Sequence, residues 1–129
     1  MKKSVNLFIT GILCLLFSFS ASAQEKGIAS YYHDSLKGLQ MANGDYYDPA
    51  ELTCAHLSLP FGTVVKIASV DNPDQSVMAI VTDRGPFVDG RIVDLSRSAA
   101  EELGIIEEGI TEVVVAVVKV GDNKYNHKN

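Results

Sequence analysis

Between Asp83 and Ser96 the chain reads Asp-Arg-Gly-Pro-Phe-Val-Asp-Gly-Arg-Ile-Val-Asp-Leu-Ser, and this segment constrains the fold more than any other. A Val-rich run, Ser76 to Thr82, leads into it, and a short helical pattern, Arg97 to Leu103, leads out. Gly-Pro and Asp-Gly are turn dipeptides, so the backbone has to bend sharply between Asp83 and Ile92. A rigid sheet ending in such a turn can hold flanking charged groups in a cleft, as in many active sites. Asp83, Asp89, Asp94, Arg84 and Arg91 all fall inside the segment. These residues alone admit two readings: a functional cleft, or a structural loop braced by Arg and Asp pairs.

Gly27 to Tyr32, Val64 to Val70 and Val77 to Thr82 read as strands. So does Val113 to Val120, which is apolar except at Lys119 and is therefore expected to be covered on both faces. Asp71-Asn72-Pro73-Asp74 predicts a turn that makes a hairpin of the second and third runs. A further short strand is expected around Ile92 to Asp94. Ser96 or Ser98 caps the short helix; Ser98 with Glu101 fits a capping box, and Gly104 fits the left-handed C-terminal position. Leu36 to Pro60 has few strand signals and holds Gly38, Asn43-Gly44 and Asp48-Pro49. It reads as one long connection, of the kind that is functional or carries its own short helix. Tyr125 to Asn129 is polar and expected to fray. Short strands, one short helix and long ordered loops predict a mainly β protein, a small β-barrel.

Residues 1–23 read as a signal peptide: Lys2 and Lys3, an apolar stretch from Leu7 to Phe19, then Ala21-Ser22-Ala23 before a cleavage point at Gln24. Leu13 stands directly before Cys14, where a lipobox needs a small residue, so no lipid or membrane anchor is expected after cleavage. The product is expected to be exported, periplasmic or secreted, with a barrel domain over 24–120 and a polar tail over 121–129. Of the 11 basic residues, Lys2 and Lys3 leave with the leader, so 9 face 16 acidic ones, a formal charge of −7. That balance excludes an electrostatic nucleic-acid binder and leaves room for a carbohydrate partner. Cys54 is then a single thiol, so no intramolecular disulfide can form; it reads as a small buried hydrophobe. His33, His56 and His127 lack metal-ligand spacing, and no Gly-x-Gly-x-x-Gly opens a helix. No metal and no cofactor are expected.

Two separated segments carry a resemblance. One is Ala42-Asn43-Gly44-Asp45-Tyr46-Tyr47-Asp48, continuing into Thr53-Cys54-Ala55-His56 and Leu59-Pro60-Phe61-Gly62-Thr63. The other is Asp83-Arg84-Gly85-Pro86-Phe87 with Gly90-Arg91-Ile92-Val93-Asp94-Leu95-Ser96. Together with Gly27-Ile28-Ala29-Ser30-Tyr31-Tyr32 they closely resemble the rare-lipoprotein-A (RlpA-like) family, in family order and spacing from about Gly27 to Val120. The resemblance implies a six-stranded double-psi β-barrel with one or two short helices, a fold shared with expansins and family-45-type endoglucanases. It implies a lytic transglycosylase acting on peptidoglycan glycan strands, preferably those stripped of stem peptides, without cofactor or metal.

By position, the resemblance implies catalytic roles for Asp83, His56, Asp45 and Asp48, with Asp83 as the acid that protonates the leaving glycosidic oxygen. Asp45 departs from the family, whose motif usually has Glu there. The change draws the carboxylate back by about one carbon–carbon bond, enough to slow a reaction. Many relatives carry a C-terminal peptidoglycan-binding SPOR domain, whereas nine residues follow Val120 here. A cell-envelope or divisome protein is the expected recruiter, and a monomer is expected.

The chemistry asks for little. Glycosidic cleavage needs a proton donor on the leaving oxygen and stabilisation of an oxocarbenium-like transition state. A lytic transglycosylase uses the sugar's own 6-hydroxyl as nucleophile and leaves a 1,6-anhydro end. A carboxylic acid serves near neutral pH when burial or a neighbouring negative charge raises its pKa. Asp83 is expected to be that acid, with His56 hydrogen-bonded to it or to the substrate. Tyr32, Asn43, Tyr47 and Arg84 are the substrate-binding candidates. The tyrosines offer flat faces to sugars, although alternation lets only one of Tyr31 and Tyr32 do so. Arg84 either binds a sugar or lactyl carboxylate or braces Asp94 or Asp89, and bracing is favoured. The alternatives are a non-catalytic or expansin-like glycan-binding module, and a secreted inhibitor on the same barrel.

Overall fold

The computed structural model describes residues 24–126. The expected signal peptide and His127 lie outside them. Six strands, β1 (Gln24–Tyr31), β2 (Thr53–His56), β3 (Val64–Ser69), β4 (Ser76–Asp83), β5 (Arg91–Leu95) and β6 (Thr111–Lys119), close a barrel in the order β1-β5-β2-β4-β3-β6. The β1–β5 and β2–β4 pairs are parallel, and the other four are antiparallel. Residues 71–74 form the expected turn, with Ser69 N–H on Gln75 O at 3.0 Å where β3 and β4 part.

Alternation builds the core. In β4, Val77, Ala79 and Val81 are buried while Met78 and Ile80 are exposed; in β3, Val65 and Ile67 flank an exposed Lys66. Val93 and Leu95 of β5 and Val113 and Val115 of β6 complete the interior. Burying each such side chain contributes about 1.5–3 kcal/mol. The helix α1 (Arg97–Leu103) packs Ala99, Ala100 and Leu103 onto the barrel, chiefly against β4. Its N-cap is Ser96, whose Oγ accepts Ala99 N–H at 3.2 Å, so Ser98 lies within the first turn and the Ser98/Glu101 box does not form. Gly104 ends the helix in the left-handed conformation, as expected.

Three expectations are corrected. The connection from 36 to 60 contains β2, four consecutive buried residues whose order comes from the strands on either side. β6 is not covered on both faces: Val113 and Val115 face the core, but Val118 is 53% exposed. A single closed barrel has one interior, and among the described residues no second layer covers that end. The tail is docked, not frayed, through residue 126. Asn123 N–H reaches Phe61 O at 3.0 Å, Phe61 N–H reaches Asn123 Oδ1 at 3.1 Å, and Asn126 Nδ2 reaches Asp45 Oδ2 at 3.1 Å. Gly121 begins this docking where only a glycine fits: a Cβ there would stand 2.3 Å from Phe61 O and Thr63 N.

Candidate functional site

The site is built outward from β2. Ala55 stands in register with Asp83 on β4 and, on its other side, with Asp94 on β5. Registered residues on adjacent strands face the same way, about 4.8 Å apart, so the two acids sit roughly 10 Å apart at their Cα atoms. Ala55 is buried with Tyr32, Met41 and Tyr47, and its small side chain fills little space between the acids. A cleft of about 380 Å³ opens here, lined by Asp83, Asp94, Tyr32, Tyr47, Arg84 and Arg91 among others.

Three donors converge on Asp83. The Tyr32 hydroxyl donates to Oδ2, and the backbone N–H groups of Ala42 (2.8 Å) and Arg84 (2.9 Å) donate to Oδ1. Burial, then the bond to Asp83 and its charge, push the Tyr32 phenol well above the usual tyrosine range, so it stays a donor. Asp94 is held differently. Its Oδ1 accepts from Ser30 Oγ at 3.1 Å, across the registered β1–β5 pair. Burial pushes its carboxyl up to about 6, against the Ser30 bond and the Arg91 charge, with Asp83 adding to the rise. A carboxyl that titrates near neutral pH is the kind a general acid needs. Asp94 is the residue that sequence reasoning missed, having met it only as a partner for Arg84. Its signal was an acid set among Ile92, Val93 and Leu95, inside an apolar strand.

Of the expected site residues, Asp83, Tyr32, Tyr47 and Arg84 gather at this cleft. Tyr47 is buried edge-on to Tyr32, ring centroids 4.8 Å apart at 62°, and its hydroxyl accepts Arg97 N–H at 3.0 Å. Burial, foremost, raises its phenol above the usual range. Neither ring offers an open face. Tyr31 is engaged too, donating its hydroxyl to Ile106 O at 2.9 Å. Arg84 braces, but not Asp89 or Asp94. Its Nη1 donates to His56 O (3.1 Å) and Leu59 O (2.7 Å), and its guanidinium lies 4.0 Å over the Phe61 ring. Its side chain thus ties the end of β4 to the β2–β3 loop.

His56, Asp45, Asn43 and Asp48 lie outside the cleft. His56 Nδ1 accepts the N–H groups of Ser58 and Leu59, both at 3.1 Å. The ring proton therefore sits on Nε2 and is donated to Glu25 Oε1 at 3.1 Å; the expected bond to Asp83 is not made. His56 follows Ala55, so its side chain leaves on the opposite face. Asn43 and Asp45 bond to each other, Nδ2 to Oδ2 at 3.1 Å and Asp45 N–H to Asn43 Oδ1 at 3.0 Å, beside a second hollow of about 290 Å³ bordered by the tail. Asp48 is exposed and caps its own turn through Ala50 N–H at 2.9 Å. Cys54 is buried as expected, its thiol pushed up to about 12 by burial.

Residues 24–115 match the family model described as lytic transglycolase. The chain belongs to the lytic transglycolase family. Within it, the chain is 42% identical over 106 residues to the probable endolytic peptidoglycan transglycosylase RlpA of Synechocystis sp., covering 79% of this chain and 33% of that protein. It is 38% identical over 99 residues to the endolytic peptidoglycan transglycosylase RlpA of Haemophilus influenzae, covering 77% and 34%. The chain thus spans about a third of the length of these curated relatives. Among solved structures, the Streptomyces papain inhibitor superposes with a TM-score of 0.60 at 22% identity, covering 76% of this chain and 96% of that one. The apo expansin of Clavibacter michiganensis gives 0.57 at 24%, covering 74% and 50%. At these identities the two structures speak for the fold alone. The family's barrel is the expected six-stranded double-psi type.

Proposed function

We propose that this lytic transglycolase domain cleaves peptidoglycan glycan strands in the cleft between Asp83 and Asp94. The observation that carries the reading is a carboxyl pushed up to about 6 by burial, facing the same cleft as a second carboxylate held by three donors. The named RlpA relatives point to the same reaction and polymer.

In this scheme Asp94 gives its proton to the leaving glycosidic oxygen as the bond from C1 to that oxygen breaks. The 6-hydroxyl oxygen of the same sugar bonds to C1, and its proton passes to Asp83. Asp83 keeps acceptor capacity for this, since a carboxylate offers about four lone-pair directions. The products are a 1,6-anhydro end and a free 4-hydroxyl. Asp94 replaces Asp83 as the acid because burial, not hydrogen bonding, dominates its surroundings.

The other candidates act as supports. His56 holds the Ser58–Leu59 backbone, whose Leu59 carbonyl anchors Arg84 next to Asp83. Asp45 and Asn43 shape the loop from which Ala42 N–H reaches Asp83, and Asp48 closes the following turn. The substrate would be strands lacking stem peptides, met outside the cytoplasm after export on residues 1–23. The domain would work as a monomer recruited by a cell-envelope or divisome protein.

Mass spectrometry of fragments released from intact and peptide-stripped peptidoglycan tests the proposal. Ends carrying 1,6-anhydro-muramyl sugars, absent with Asp94→Asn and with Asp83→Asn, are expected. Release that persists in Asp94→Asn would remove the acid assignment. No release, with the protein still sedimenting with glycan, would leave a binding barrel.

A further inference from the structure

Sugar platforms were expected among the tyrosines, and those at the cleft have packed rings and engaged hydroxyls. The open aromatic at the cleft is Phe87. At 83% exposure it is the most exposed large hydrophobic among the described residues, and it lines the same cleft as Asp83 and Asp94. Val88 (52%) and Leu39 (56%), from two different loops, are exposed beside that cleft as well.

Single exposed apolar residues are ordinary on protein surfaces. Three at one cleft that also holds two half-buried carboxylates are less so. Nor is Phe87 loosely hung. Its loop is tied at one end by the Ala42 and Arg84 N–H groups on Asp83. At the other end Arg91 N–H reaches Val88 O (3.1 Å) and Ile28 N–H reaches Gly90 O (3.0 Å). The ring passes close over Gly85, where a Cβ would lie 3.5 Å from Phe87 Cε2. Little reorganisation is needed before a ligand settles on the ring.

A pyranose ring has apolar C–H faces and a polar edge. An apolar mouth over a carboxylate interior matches both, and an aromatic ring is the natural surface for the C–H face. We propose that Phe87 is a stacking platform for a sugar ring of the glycan strand, holding it so that the adjoining glycosidic oxygen lies in the carboxylate cleft. This rests on the glycan-cleaving reading and extends it by naming the subsite. A platform that holds ground state and transition state alike acts on KM and leaves kcat nearly untouched.

The test measures binding and turnover separately, on soluble peptide-stripped glycan strands. In an Asp94→Asn background, which binds without cutting, Phe87→Ala is expected to weaken binding about tenfold, and Phe87→Trp to restore it. In the otherwise native protein, Phe87→Ala is expected to raise KM about tenfold with kcat within about twofold, and with an unchanged unfolding midpoint. Equal binding by Phe87→Ala and its parent overturns the platform and leaves the cleavage proposal standing. Recovery by Phe87→Leu as complete as by Phe87→Trp also overturns it, because bulk alone would then suffice. Absence of cleavage with the Phe87 effect on binding intact overturns the cleavage proposal and supports the platform. A native protein that neither binds nor cuts overturns both.

Discussion

Asp83 and Asp94 flank one residue: each stands in register with Ala55, Asp83 across the parallel β2–β4 pair and Asp94 across the antiparallel β2–β5 pair. The two acids thereby share a cleft while keeping different company. Asp83 is ringed by a phenol and two backbone N–H groups; Asp94 has one hydroxyl and a largely buried carboxyl. Two carboxyl groups in unlike environments are the arrangement from which separate proton-donating and proton-accepting roles arise.

Asp94 makes a double prediction. If Asp94 is the acid of the proposed cleavage, activity is expected to fall as pH rises beyond about 6, and Asp94→Asn to lower cleavage by about a hundredfold or more. The substitution acts on stability in the opposite sense. The folded-state pKa of about 6 lies above the ordinary 3.8, so the native state keeps a proton that the unfolded chain releases. Stability from this group is therefore fully present below about pH 4 and is lost as pH climbs through about 6. The full shift would amount to about 3 kcal/mol, and partial exposure reduces it to about 1–2 kcal/mol. Asp94→Asn is expected to be more stable than the native protein by that amount at pH 7, with no gain at pH 4. Urea unfolding at both values checks it; a variant less stable at pH 7 would contradict the buried-charge account.

Arg84 predicts a failure of conservative substitution. Its Nη1 bonds two carbonyls while the guanidinium plane covers the Phe61 ring, and a lysine ammonium has no such plane. Arg84→Met should destabilise by about 2 kcal/mol, since it leaves both inward carbonyls unmet, and Arg84→Lys by about 1 kcal/mol, through loss of the plane over Phe61. Denaturant titration showing Arg84→Lys near the native midpoint would count against the bracing role.

Gly121 tests the docked tail. A methyl group there meets backbone atoms of Phe61, Gly62 and Thr63, which have no flexible end to yield. Gly121→Ala is expected to cost about 2–4 kcal/mol, beyond the ordinary range for a surface change. Asn123→Ala, which loses the bond from Phe61 N–H, should cost about 1 kcal/mol. Thermal unfolding that leaves both variants at the native midpoint would mean that the tail contributes nothing.

Cys54 should be chemically silent. Its thiol is buried and pushed up to about 12, so little thiolate exists at pH 8. A thiol reagent is expected to label it at pH 8 only after denaturant is added. Rapid labelling of the native protein would show that β2 opens readily.

Much of this protein was legible in the sequence. The hairpin turn at 71–74, the alternation of β3 and β4, the left-handed Gly104 and the buried Cys54 all follow from local rules of side-chain period, turn chemistry and size. The motif around Asp83 lies at a cleft, and Tyr32, Tyr47 and Arg84 line it as well. The misses have a common cause. Four residues from Thr53 to His56 carry no periodic signal, because a strand enclosed between two others is ordered by its neighbours. Without β2 nothing places Ala55 between the acids, and nothing sends His56 away from Asp83. Phe87 was unremarkable in a string of letters, since exposure is a property of what does not pack against a ring.

By itself, then, the sequence determined which segments extend, where they turn, and which acid stands at the first turn. Those outcomes depend on interactions within a few residues. Only the tertiary structure decided that Asp94 shares a cleft with Asp83, that Asp45 is held by Asn126, and which aromatic stays open at the cleft. Pairing between strands distant in the chain, and the burial it creates, set a carboxyl's environment, and neither is written in the residues on either side of it.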